Sequence, residues 1–360
     1  MLKQMELNLN DTQMRSRLLK VVGAVAVVSL LVAISAFFIS NVVATPVSPR
    51  ELELRGWVND LRDESLTPSR QSAQSKLEAA GEESVPLLVT ALRANDAVLR
   101  RNSAEMLGFI ASPMATDGLK QALSTDPVPE VRANAAWALG EIKAIPAVNL
   151  LEQVSVLDGS AQVRKNALDS LAVIREHIAQ LAGKDPSMVD AITVTPGTVN
   201  TVYVASRRDL LVSRDSGATW TTQAQALPGL TSAITANPSN PNILYAGMHS
   251  QGMYLSTDSG RTWQSLTRSF SNEAIGQSTV TAITVDATNP MRVVMAHGIR
   301  IGDTGDVFFP LGVLSSKDGG QSWDNVMDLE EGQIVTQLAI QNGKVYALTA
   351  DRVLVAPLPN

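Results

Sequence analysis

One octapeptide, written three times, constrains this chain more than any other feature. Residues 213–220 read SRDSGATW, residues 256–263 STDSGRTW and residues 316–323 SKDGGQSW, and all three fit S-x-D-x-G-x-[TS]-W. The pattern describes a turn between two strands. Ser213, Ser256 and Ser316 open the copies, and Asp215, Asp258 and Asp318 can accept hydrogen bonds from the backbone N–H groups just after them. Gly217, Gly260 and Gly320 supply a conformation other residues resist, and Trp220, Trp263 and Trp323 start the next strand with a large apolar anchor. Nothing in the motif is a nucleophile, so its role is structural.

Strand-like segments surround each copy. From residue 189 onward, short runs rich in Val, Ile, Thr and Tyr alternate with turns. The first unit reads as strands 191–194, 201–205, 210–214 and 219–222, the second as 233–235, 243–247, 253–257 and 262–266, and the third as 282–285, 293–296, 313–316 and 322–326. Four strands per unit, with the octapeptide between the third and fourth, make a propeller blade. The motif resembles the Asp box of the BNR-type β-propellers, and the blade pattern is similar to Asp-box propellers that assist photosystem assembly and to other non-catalytic ones. In such families the boxes lie away from the functional site. A fourth unit, 337–340, 345–348 and 353–355, lacks a box and a last strand. The expectation is a small or incomplete propeller of about four blades over 187–357, either left open or closed as a four-bladed ring. The strand edges at 353–355 then need cover, by a second copy in a homodimer or by a partner. The boxes start 43 and then 60 residues apart, which puts an insertion of about 17 residues in the third blade, near 298–311.

The preceding stretch has a helical period. LRRNSA (99–104), VRANAA (131–136) and VRKNAL (163–168) follow at 32-residue intervals, and the register continues through Leu107, Leu139 and Leu171. Two helices in a period of this length mean an α-solenoid, with Pro86, Pro113 and Pro146 near the starts of the second helices. The segment VRANAAWALGEI resembles HEAT repeats of the phycobilin-lyase type. The solenoid covers 51–183, with a degraded unit at 69–92 and a further helix at 51–63. Arg100, Arg132 and Arg164, and Asn102, Asn134 and Asn166, recur in register as two ladders that either bond neighbouring repeats or offer a stripe for a ligand.

Residues 1–20 are polar. Residues 21–44 are apolar and uncharged, long enough for about 36 Å of helix against a hydrocarbon core of about 30 Å. This predicts a transmembrane anchor, followed by a linker at 45–50. A signal peptide cleaved before Thr45 competes, but the run exceeds the 7 to 15 residues of a signal h-region. Arg15, Arg17 and Lys20 beside a short tail place the N-terminus in the cytoplasm and the bulk outside it, at a cell or inner membrane. The fold class is therefore α+β and multidomain: transmembrane helix, HEAT solenoid, propeller.

The net charge of −6 and the lack of a Lys/Arg cluster disfavour nucleic acid. Zero cysteines exclude disulfides and thiolate metal sites. His177, His249 and His297 show no H-x-x-x-H spacing, although the expectation is that the last two sit at equivalent places in successive blades, after the second strand. Asp303 and Asp306 form an oxygen-rich loop open to two readings, a calcium site or plain surface, and neither cofactor nor metal is expected. Phe308, Phe309 and Leu311 follow as a candidate contact patch. A sialidase would need a Tyr nucleophile, but Tyr203, Tyr245, Tyr254 and Tyr346 all fall in strand patterns. The sequence thus points to a non-enzymatic, membrane-tethered scaffold that binds protein partners, with the assembly or stability of a membrane complex as the expected setting. A glycan-binding or glycan-cleaving propeller is the alternative.

Overall fold

The computed structural model describes residues 47–195, 200–223, 226–266, 278–301 and 307–359. The expected tail (1–20), anchor (21–44) and first linker residues, and Asp303 and Asp306, lie outside these. Among the described residues no helix is long and apolar enough to cross a membrane. The chain divides into two compact units, residues 1–53 and Leu54–Asn360. Of the first, only 47–53 are described, and they begin helix α1 (Pro49–Asp60).

The helices of the second unit pair as the period requires. They are α2 (Pro68–Ala80) with α3 (Val85–Ala91), α4 (Ala97–Ile110) with α5 (Thr116–Thr125), α6 (Pro129–Glu141) with α7 (Val148–Leu157), and a final α8 (Ala161–Leu181). Pro86 lies in the first turn of α3, while Pro113 opens the 3-10 turn that leads into α5 and Pro146 is the second residue of the one that leads into α7. Small residues let the first helices stack closely: a Cβ at Gly108 would run into the Trp137 ring, and one at Gly140 into Ser170. After α8 no second helix follows. The chain turns through a 3-10 segment at Pro186–Met188 into the first strand.

Among the described residues four antiparallel sheets come next, each in sequence order from its inner to its outer strand. The first is β1 (Ala191–Val194), β2 (Val202–Ser206), β3 (Asp209–Ser213) and β4 (Thr221–Thr222). The second is β5 (Thr231–Asn237), β6 (Asn240–Met248), β7 (Gly252–Ser256) and β8 (Gln264–Ser265). The third is β9 (Thr279–Val285), β10 (Val293–Ile301), β11 (Val307–Ser316) and β12 (Asp324–Met327). The fourth has three strands, β13 (Gln337–Gln341), β14 (Lys344–Leu348) and β15 (Val353–Pro357). The inner strands β1, β5, β9 and β13 adjoin in that order.

Strand alternation gives each blade two apolar faces. Tyr203, Ala205, Leu210 and Val212 of the first blade pack on Leu244 and Ala246 of the second. Tyr245 and Met253 on the opposite face of the second meet Val280, Met295 and Leu314 of the third. Ala282, Val294 and Val313 then meet Val345, Ala347 and Ala356 of the fourth. The remaining face of the first blade, with Val194, Val202, Val204 and Leu211, joins the same apolar cluster as Leu171, Ile174 and Ile178 of α8. On the other side, α7 packs on β13 and β14.

The four blades and the three-stranded last one are as expected among the described residues, but the ring is neither left open nor closed by blades alone. The space between the fourth blade and the first holds the last helices of the solenoid, because each exposed blade face is apolar enough to need cover and α7 and α8 bring apolar stripes of their own. The change from helix to strand falls at 183–187, yet packing runs straight through it.

Two further expectations change. The insertion of the third blade is no loop at 298–301 and 307–311, because β10 and β11 continue past a bulge at His297/Gly298 with Ile299 opposite Phe309 and Arg300 opposite Phe308. Apolar cross-strand pairs extend the ladder there. The outermost strands start two residues later than expected, at Thr221, Gln264 and Asp324, because Thr219, Thr262 and Ser322 give their N–H groups to the box aspartates instead of to a ladder.

Candidate functional site

The three boxes share one hydrogen-bond pattern. In each, the Ser hydroxyl donates to the Asp Oδ1 at 2.7 to 2.8 Å and accepts the Gly N–H at 2.8 Å. Asp Oδ1 accepts the N–H of Thr219, Thr262 or Ser322, and Oδ2 accepts the hydroxyl of the same residue. Those bonds hold the Asp215 and Asp258 carboxyls at about 2, chiefly through the hydroxyls of Thr219 and Thr262. For Asp318, desolvation pushes upward but the Ser322 bonds outweigh it, again giving about 2. A carboxylate so fully engaged is a strut and has no free base to offer. Trp220 and Trp323 donate Nε1–H to the Gly217 and Gly320 carbonyls at 3.0 Å, whereas among the described residues the buried Trp263 Nε1 meets no acceptor.

The box glycines also show what stands beside each blade. A Cβ at Gly260 would overlap Leu210 of the first blade, and one at Gly320 would lie 2.7 Å from Leu266 of the second. A Cβ at Gly217 would lie 3.1 Å from Leu181 and 3.2 Å from Ile145, both in the solenoid. The solenoid thus takes the place of a preceding blade.

The arginine series is occupied within the solenoid. Arg100 grips the Asp126 carboxylate with Nε and Nη2 at 2.6 and 3.1 Å, and Arg132 grips Asp158 at 2.7 and 2.9 Å. Arg132 and Arg164 donate in turn to the backbone carbonyls of Asp126 and Asp158, so each aspartate joins two repeats. Burial pushes the Asp158 carboxyl up, but Arg132 and the Ser160 N–H outweigh it and hold it below the ordinary range. Asn102, Asn134 and Asn166 donate back to the carbonyls of Leu61, Arg101 and Ala133. Both ladders are spent on joining repeats.

The histidines do not converge. The box serines Ser256 and Ser316 pair with Leu244 and Val293, which aligns His297 with Met248 and leaves His249 one residue further on. A one-residue offset on a strand reverses the face, and the expected equivalence fails. His297 is buried beside Ser278 Oγ at 3.2 Å, and burial lowers it to about 4. Burial and the Arg300 charge lower His249, against a pull from Asp190. Among the described residues no three His, Asp or Glu come together to hold a metal.

Phe308 is half-buried under the Arg300 guanidinium, 5.6 Å from its ring centroid. Val307, Phe309 and Leu311 are 50%, 38% and 40% exposed on the same strand. This apolar hairpin end extends past its own sheet.

A cavity of about 420 Å³ lies where the inner strands converge. Its wall combines β1, β5, β9 and β13 with Glu152 of α7 and Arg175 and Glu176 of α8. Glu152 faces this space with 35% of its side-chain surface exposed, and Arg175 Nη2 donates to it at 2.9 Å. Burial raises the Glu152 carboxyl even against that partner. A Ser155–Gln337 hydrogen bond ties α7 to β13 beside it. The sequence reading missed this site. Its one signal was the recurring A-I-T at 191–193, 233–235 and 282–284, which marks three of the inner strands.

A family model described as HEAT repeats matches residues 77–177, and one described as "Sortilin, neurotensin receptor 3" matches residues 208–328. The chain carries HEAT repeats followed by propeller repeats. Among solved structures it is similar to the GH74 xyloglucanase from Xanthomonas campestris, at 20% identity over 48% of this chain and 28% of that one, with a TM-score of 0.36. It is also similar to the complex of CpcE and CpcF of phycocyanin lyase from Nostoc sp. PCC7120, at 25% identity, 37% and 89% coverage and a TM-score of 0.31. A third is YCF48 bound to D1 peptide, at 13% identity, 48% and 51% coverage and a TM-score of 0.36. The chain spans only 22% to 28% of the length of the GH74 enzymes it matches. Among curated proteins nothing matches it.

Proposed function

We propose that this protein is a non-enzymatic scaffold, anchored through residues 21–44 with its bulk outside the cytoplasm, that binds protein partners during assembly or maintenance of a membrane complex. The observation that carries the reading is the β10–β11 hairpin, whose Val307, Phe309 and Leu311 stand exposed together, a cost in water that a protein contact relieves. Two repeat arrays fused through one core add broad, rigid surface beside it. For the glycan-cleaving alternative the chemistry is poorly supplied. Tyr203 and Tyr245 point their hydroxyls at Pro241 O and Gly319 O in the following blades, and no described residue lining the axial cavity is aromatic, so a sugar ring finds no stacking partner there.

Affinity purification of the tagged full-length protein in mild detergent should recover a protein partner, and the double substitution Phe309→Ser, Leu311→Ser should lose it without a change in Tm. A soluble form that binds or hydrolyses a glycan, with no partner recovered, would reverse the reading. Protease added to spheroplasts should digest the chain beyond residue 46 and spare the tail, and a mature form beginning at Thr45 and free of the membrane would contradict the anchor.

A further inference from the structure

We infer that the axial cavity is a binding site for a basic side chain, arginine above all, presented by an extended segment of a protein partner. The inference rests on the scaffold reading and names the chemistry the scaffold would recognise.

Size is the first observation. The space of about 420 Å³ falls within the range of about 300–1,000 Å³ typical of ligand pockets, and it exists only because α7 and α8 stand where a blade would. The second observation is the wall. Among the described residues β1, β5, β9 and β13 are the terminal strands of their sheets, so, apart from the Val280 carbonyl that accepts from Ser232 Oγ, their other edges offer backbone groups toward the axis. Such edges suit an extended polypeptide, which can meet them with its own N–H and C=O groups.

The sign of the ligand follows from charge. Three carboxylates line the cavity, Glu152, Glu176 and Asp190, against the single guanidinium of Arg175. Arg175 is engaged by Glu152. Gln180 donates to Glu176 and the Arg207 N–H to Asp190, but among the described residues neither carboxylate makes an ion pair. Glu152 itself remains under-compensated, since burial still raises it with Arg175 in place. A bare metal ion does not fit, because no three of these groups converge closely enough to hold one. An organic cation whose charge is spread over several donors does fit, and a planar guanidinium with five N–H groups can reach separated carboxylates at once.

The test uses the full-length protein in detergent micelles and two blocked pentapeptides of otherwise identical sequence, one with a central arginine and one with neutral citrulline in its place, followed by calorimetry. The arginine peptide should bind saturably and the citrulline peptide about tenfold or more weaker. Glu176→Gln, on the exposed side of α8, should weaken the arginine peptide by a similar factor with its Tm unchanged, and Glu152→Gln serves as the second variant should the first disturb folding. Equal binding of the two peptides, no saturable binding by the wild type, or an unchanged affinity in both folded variants would each overturn the inference. Partner recovery through the hairpin is scored separately, so a failed cavity with a retained partner sinks this proposal and leaves the scaffold reading standing.

Discussion

A carboxylate in this protein is defined by what donates to it. Asp258 accepts from Ser256, from the Thr262 N–H and from the Thr262 hydroxyl, so it stays ionised down to about 2. Its folded value lies below the unfolded one of about 3.9, so the stability it lends is complete above that value and disappears as pH falls through about 2. Asp258→Ala should therefore lower the Tm at neutral pH, and the gap to wild type should close between about pH 4 and pH 2. A gap independent of pH would assign the loss to packing instead. Arg132 and Asp158 are more deeply set, with 17% and 8% of their side-chain surfaces exposed. Removing one partner strands the other, so Arg132→Ala should cost about 3–5 kcal/mol in urea unfolding. Because the Asp158 carboxyl is also lowered by folding, that pair too protects most above the ordinary carboxylate range and weakens in acid.

At the scale of the element, the box turn carries the contact from one blade to the next. Gly217 and Gly260 have φ of 96° and 81°, where any L side chain is strained by about 1–2 kcal/mol. Their neighbours differ. Gly260→Ala meets Leu210 head on and should lose a further amount of about 1–3 kcal/mol through overpacking, whereas Gly217→Ala faces methyl ends of Leu181 and Ile145 with a little room to give. Chemical denaturation should rank Gly260→Ala as the more destabilised variant, and the reverse order would mean that the solenoid contact is the tighter one. The hairpin obeys the same logic outwardly: once its ladder passes the bulge at Gly298, Val307, Phe309 and Leu311 stand exposed.

For the whole molecule, the decisive fact is that the solenoid core runs on into the first blade. Leu171 of α8 and Val204 of β2 belong to one apolar cluster. Leu171→Ala, at about 2–5 kcal/mol for a buried leucine, should therefore lower the stability of the sheets as well as the helices. Helical circular dichroism and tryptophan fluorescence should report one shared unfolding transition that shifts as a unit. Two separate transitions, with the fluorescence change unmoved by Leu171→Ala, would show that the parts are independent.

Much of this could be read from residues alone, and the reason is locality. A box closes its hydrogen bonds within eight residues, and a HEAT pair repeats its apolar stripe every 32, so the sequence by itself determined the three turns, the blades around them, the solenoid and the places of Pro86, Pro113 and Pro146. The tertiary structure alone decided which surfaces were left over. That α7 and α8 stand between the fourth blade and the first depends on matching two apolar faces from distant parts of the chain, and no local period encodes a match. The axial cavity follows from that closure: Glu152 and Arg175 are 23 residues apart on separate helices and share a space with Asp190 only after the ring is complete. The offset between His249 and His297 was likewise invisible before pairing, because a single residue of register, fixed by the partner strand, turns a side chain from one face of a sheet to the other.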